Sequence, residues 1–375
     1  SQAKQTEETD GLRKLFVESS HYVALKTPEL AYDITAVDHA LEWGFAWEIG
    51  PFKVMDSIGL SWLRNEMKTA NLAEPPLLAA AGSAFYKEAK KGVMVPGFGA
   101  ARTGATGGTA PGGAAGAGTI LAKRIPLEPV PGQLLLADLR SAGKVLDAND
   151  DARCVDLGDG VLCLEFCGKM NTLDGGVLDM LANTIDRISS GAYAGLVIGN
   201  DDPRTFTAGA NLAQVVQVAA AGDWKTLDAA VRRFQDSVMS VRFAPFPVVA
   251  APFGLTLGGG CEISLHADRI QAHAELYMGL VEVGVGLIPG GCGTKEMLFR
   301  FTDALKPYEE ADPFEAAKRA FKLIALAQMS TSAHEARKMG LLRPVADRIT
   351  MNRDLLIADA KARVLDLAPD YVAPT

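Results

Sequence analysis

Two acids in apolar company carry the strongest chemical signal in the sequence. Glu262 directly follows Gly258-Gly259-Gly260-Cys261, and Glu282 stands among Met278, Leu280, Val281, Val283 and Val285. Burying a lone carboxylate is costly, so a segment that keeps two of them points to acid/base work. Glycines where a strand turns into a helix let another group come right up to the backbone. The first amides of such a helix lack partners and sit at the positive end of its dipole. Together they make a site for a developing oxyanion, with an acid directly behind it. Each feature also has a plainer reading: the triple glycine as a loop or packing point, Glu262 as a surface helix residue, Glu282 as the partner of a buried arginine.

The elements that must position these groups alternate in type. Residues 160–166 (GVLCLEF) read as a strand, and Leu178, Leu181, Ile185 and Ile188 mark one face of a following helix. Residues 194–199 form a buried-strand run, followed by the turn Thr207-Ala208-Gly209-Ala210-Asn211 and a helix through Leu212, Val215 and Val216. Val231, Phe234, Val238 and Val241 mark a further helix leading to a strand at 247–251. Repeated strand and helix units of this length predict an α/β domain with strands buried under helices.

At these residues the sequence resembles the crotonase, or enoyl-CoA hydratase/isomerase, superfamily. The resemblance rests on PVVAAPFG, the GGGCE turn, the segment ending VEVGVGLIPGGCGT and the 207–211 turn, and it covers roughly residues 153–365. It implies a spiral of ββα units, with the amides of Ala208 and Gly259 binding a thioester oxygen and Glu262 and Glu282 as the catalytic pair. It further implies an acyl-CoA thioester as substrate, with CoA as part of that substrate and no tightly bound cofactor. Lys169, Ala210 and Asn211 are the candidate CoA contacts; many members have Asp where this chain has Asn211. The activity implied is hydration of 2-enoyl-CoA thioesters in fatty acid β-oxidation. Isomerisation of 3-enoyl-CoA to 2-enoyl-CoA needs the same oxyanion site and only one acid, and a non-catalytic CoA-binding scaffold is the alternative from another class. A homo-oligomer and a thiolase subunit are partners the resemblance allows.

Upstream, residues 11 to about 70 read as helical, and the aromatic cluster at 43–52 reads as a packing hub between helices. The phrase ALEWGFAWEIGPFKVMDSIGL resembles the C-terminal helical domain of 3-hydroxyacyl-CoA dehydrogenases, over residues 15–75. A dehydrogenase also needs a strand, a Gly-x-Gly-x-x-Gly turn and a helix for its dinucleotide. Gly158-Asp159-Gly160 continues Val161-Leu162-Cys163 without the third glycine, so NAD is not expected to bind. The expectation is a fragment of a longer dehydrogenase/hydratase polypeptide: a helical dehydrogenase-like segment at 11–90, a Gly/Pro-rich linker at 91–152 with a short helix around 134–142, and the hydratase domain at 153–375. Residues 92–118 are too rich in Gly and Ala to bury a core, and no Lys-Ser/Thr follows at P-loop spacing.

Composition sets the outer limits. The 48% hydrophobic and 22% charged content fits a globular chain, and a net charge of −8 argues against a nucleic-acid partner. No apolar run approaches a membrane span, and the polar, acidic start is unlike a signal peptide; a cytoplasmic protein without membrane insertion is expected. Five cysteines without framework spacing suggest reduced thiols. Glu262 and His266, four apart, make a weak metal site without a third ligand, so no metal is expected.

Overall fold

In a computed structural model of the chain, the structure describes residues 7–45, 47–89, 92–98, 120–126, 131–306 and 312–375. The chain divides into two compact units, Ser1–Pro129 and Val130–Thr375.

The first unit contains helices α1 (Glu7–Leu30), α2 (Ile34–Gly44), α3 (Pro51–Ile58), α4 (Leu60–Thr69) and α5 (Pro76–Ala81). They are followed by an antiparallel sheet of β1 (Lys87–Ala89), β2 (Gly92–Phe98) and β3 (Ile120–Pro126). Local chemistry sets the starts: Asp33 accepts the Ala36 amide to cap α2, and Pro51 opens α3 where no donor is needed. Phe52 and Phe85 meet edge to face at 4.7 Å inside a core with Leu60, Leu63, Leu77 and Leu78. The buried carboxylate of Asp38 takes the Phe52 amide and the Tyr86 hydroxyl. The aromatic cluster at 43–52 is only partly the hub expected. Phe52 is fully buried, but Phe45 and Trp47 are 73% and 52% exposed; the side chain of Trp43 lies outside the described residues. Within the span expected as a linker, residues 92–98 and 120–126 pair as strands; residues 99–119 lie outside the described residues.

The second unit begins with α6 (Leu136–Ser141), where the short helix was expected, and continues through β4 (Val145–Ala148), β5 (Ala152–Asp156) and β6 (Val161–Phe166). These three strands form an antiparallel meander, so the sheet starts earlier than residue 153. After α7 (Gly175–Ser190) come β7 (Gly195–Gly199), β8 (Thr205–Thr207), α8 (Leu212–Ala220), α9 (Trp224–Arg242), β9 (Val248–Ala250), β10 (Gly254–Leu257) and α10 (Gly259–His266). The unit continues with β11 (Arg269–His273), β12 (Leu276–Gly279), α11 (Gly293–Leu305), α12 (Phe314–Ala325), α13 (Ala333–Lys338), β13 (Arg348–Thr350) and α14 (Leu356–Leu367).

The strands sort into two sheets. A seven-stranded sheet has the order β13-β11-β9-β7-β6-β5-β4, parallel from β6 to β13, and a three-stranded parallel sheet has the order β12-β10-β8. From β7 to α11, each turn of the chain thus lays one strand in the large sheet, the next in the small sheet, and then helix. This is the ββα spiral.

Helix α10 is buried along its whole length. Its Ile263 belongs to the core of the large sheet, with Val197, Val248 and Val249, while Cys261 and Leu265 belong to a second core with Met278, Leu280, Met297 and Phe301. The helix is enclosed between the two cores, and each large aliphatic side chain so buried contributes roughly 1.5–3 kcal/mol. By contrast α8, the helix read through Leu212, Val215 and Val216, has no fully buried residue, and Val216 is 65% exposed. All five cysteines are free thiols. Among the described residues, no helix is long and apolar enough to cross a membrane.

Candidate active site

Strand β10 enters α10 through Gly258, at φ +51° and ψ −118°, a conformation that favours glycine. A Cβ there would lie 3.0 Å from Glu282 Oε1, so the acid occupies the space a side chain would need. A Cβ on Gly260 would meet Thr207 Cγ2 at 2.3 Å, which is why the helix can sit directly on β8. Gly259 opens the helix. Its N–H has no intrahelical acceptor and makes no other hydrogen bond among the described residues.

The turn after β8 packs backbone to backbone against this point. Gly209, at φ +85°, would place a Cβ 2.7 Å from the Leu257 carbonyl and 2.9 Å from the Gly259 nitrogen. The Ala208 amide, expected as an oxyanion donor, is already spent: it donates to the Met170 carbonyl at 3.1 Å. Gly209 N–H is also occupied, by Thr207 Oγ1 at 3.0 Å. The first uncommitted amide in the turn is that of Ala210, which is exposed and makes no hydrogen bond among the described residues. Asn211 turns its side-chain oxygen to the Gln214 amide and caps α8. Lys169 is exposed, without a side-chain partner among the described residues, on the short turn Lys169–Asn171 whose Met170 carbonyl receives Ala208.

The carboxyl groups of both acids are buried, and Glu282 is near enough for its charge to act on Glu262. Glu262 is 1% exposed, and its Oε1 accepts the amides of Gly291 and Gly293, each at 2.8 Å. Burial, and then the charge of Glu282, push its carboxyl up to about 7 against the pull of those amides. Glu282 begins a short 3₁₀ turn, Glu282–Val285. Neither of its buried oxygens has a hydrogen-bond partner from another described residue, and burial pushes it up to about 6. The pair can therefore hold a proton near neutrality.

The walls are apolar. The Phe234 ring of α9 comes within 3.1 Å of a Cβ built on Gly259, with Leu173 Cδ1 at 3.5 Å. Gln235 Nε2 donates to the Gly290 carbonyl at 2.8 Å. Sequence reasoning missed the Gly291 and Gly293 amides and Phe234 as a site wall. The glycine run at 290–293 was the available signal, since Cβ atoms at Gly291 and Gly293 would fall 2.6 and 2.9 Å from Glu262 oxygens.

Residues 159–360 match the sequence pattern described as enoyl-CoA hydratase/isomerase. The chain is 38% identical over 344 residues to a probable 3-hydroxyacyl-CoA dehydrogenase of Bacillus subtilis (strain 168), covering 91% of this chain and 40% of that protein. It is 24% identical over 281 residues to a putative fatty acid oxidation complex trifunctional enzyme of Rickettsia felis, covering 74% of this chain and 33% of that protein. The chain thus spans 40% or less of the length of these two relatives. Among solved structures, an enoyl-CoA hydratase from Bacillus anthracis is 25% identical with a TM-score of 0.46, over 58% of this chain and 75% of that one.

Proposed function

The chain belongs to the enoyl-CoA hydratase/isomerase family, and on that premise we propose that it adds water across the 2,3 double bond of an enoyl-CoA thioester. The observation that carries this reading is the pairing of two buried carboxyls, both displaced upward, beside the uncommitted first amide of a buried helix. In the proposed reaction the amides of Gly259 and Ala210 receive the thioester oxygen as negative charge builds on it. A donor of this kind is typically worth about 2.7–4 kcal/mol. Water lies between Glu262 and Glu282. One carboxylate takes a proton as the oxygen bonds to the β carbon, and a carboxyl delivers a proton to the α carbon, so the water is added whole. Two acids sharing one proton support both transfers, whereas isomerisation asks for only one acid.

Lys169, exposed and without a side-chain partner among the described residues, on the short turn whose Met170 carbonyl receives the Ala208 amide, is proposed to meet the anionic part of CoA. The longer relatives support a place in fatty acid β-oxidation, beside a dehydrogenase that consumes the 3-hydroxyacyl product.

The test is loss of the enoyl-thioester absorbance of crotonyl-CoA. Rapid loss is expected with the parent chain, and a fall of about 10²–10⁴-fold with Glu262→Gln. Absence of turnover in the parent, or parent-like turnover in the variant, would overturn the reading.

A further inference from the structure

Below Glu262 lies a group of buried polar atoms that the proposed reaction does not use. His266, one turn further along α10, is fully buried, and its Nδ1 lies 2.7 Å from the Glu262 carbonyl. A carbonyl can only accept, so Nδ1 carries the proton and donates. The other ring nitrogen, Nε2, is buried without a hydrogen bond among the described residues and faces Glu296 Oε2, equally unpartnered, at 4.0 Å. Glu296 in turn lies 3.2 Å from Arg242 of α9 and 3.6 Å from Arg300 of α11, and Arg300 donates to the Leu265 carbonyl of α10 at 2.7 Å.

Glu296 and Arg300 stand on α11, the helix that begins at Gly293, and the amides of Gly291 and Gly293 grip the Glu262 carboxylate. The same helix therefore reaches Glu262 at both ends. It holds the carboxylate through its leading amides, and it packs Glu296 and Arg300 against the end of α10 where His266 holds the Glu262 carbonyl.

We infer that His266 is a positioning residue for Glu262: its Nδ1–H fixes the backbone from which the acid projects into its amide cradle. Of the two neutral tautomers, only the one protonated at Nδ1 can do this. Burial pushes the ring down to about 4, which keeps it neutral across the working range. The charged groups around it are Glu262 on its own helix, Arg242 on α9, and Lys295, Glu296 and Arg300 on α11. A shift of about an ångström at a catalytic group can cost on the order of a hundredfold in rate, so a small movement of this turn suffices to be seen.

The rate arm of the test rests on the hydratase reading; two further arms do not. Asparagine places its amide nitrogen where histidine has Nδ1, so His266→Asn keeps the donor and His266→Leu removes it. Expected is a fall in kcat of about tenfold or more for His266→Leu, with KM within about twofold and near-parent kcat for His266→Asn. Parent kcat in the leucine variant with only its melting point lowered, or equal losses in both variants, would overturn the inference. If the parent does not hydrate crotonyl-CoA, a ¹³C-carboxyl titration of Glu262 decides. The leucine variant should move the midpoint by about half a unit and the asparagine variant should not; no movement in either overturns the proposal. Should the leucine variant fail to fold, ¹⁵N spectra of the parent imidazole decide. A neutral ring protonated at Nδ1 between pH 5 and 8 is expected, and protonation at Nε2 overturns the proposal.

Discussion

At Glu262 the fold works against its own charge. An unfolded glutamate titrates near 4.3, whereas burial and Glu282 hold the folded carboxyl at about 7. The folded chain binds that proton more tightly, so the group favours the fold fully below about pH 4, and the benefit is lost as pH rises through 7. At about 1.4 kcal/mol per pKa unit, the loss by pH 8 is on the order of 4 kcal/mol. Glu262→Gln, which keeps an oxygen for the Gly291 and Gly293 amides, should therefore melt higher than the parent at pH 8 and not at pH 5. Equal shifts at both pH values would contradict the charge account. The two acids were legible because a carboxylate in an apolar run is conspicuous by its side chain. Their supports were not, because Gly259, Ala210, Gly291 and Gly293 contribute peptide N–H groups that every non-proline residue carries. That is how Ala208 came to be expected in place of Ala210: only the contact with Met170 shows that its amide is spent.

Among the elements, those with strong periodicity or dense apolar content could be read: α7, α9, β6, β7 and β9 lie where the pattern put them. Those set by neighbours could not. The three-residue β8 is fixed by its pairing with β10, and the apolar residues of α8 stay exposed or half-buried within its own unit. Asn211, expected as a CoA contact, has a demonstrable duty as the cap of α8. Asn211→Ala should cost about 1 kcal/mol in urea unfolding, and Asn211→Asp should cost little because it keeps the accepting oxygen. An alanine variant as stable as the parent, with weakened acyl-CoA binding, would return Asn211 to the ligand.

For the chain as a whole, a helical first region followed by an α/β unit was readable from the pattern. Residues 145–148 carry only two large apolar side chains, Val145 and Leu146, too few to announce a strand, yet β4 forms by pairing with β5. The second unit draws both of its hydrophobic cores from its own residues. A chain of residues 130–375 should consequently fold alone, with cooperative melting and, on the proposed function, crotonyl-CoA turnover; a molten, ANS-binding product would show that the unit is not autonomous. The cradle of Glu262 bears on inheritance as well. No single base change converts a glycine codon to a proline codon, so point mutation cannot readily delete the donor amides of Gly291 and Gly293. What it can do is add a side chain, and a Cβ at Gly291 would lie 2.6 Å from Glu262 Oε2. Inherited damage at these codons will come by crowding the acid, while its hydrogen-bond donors survive in the message.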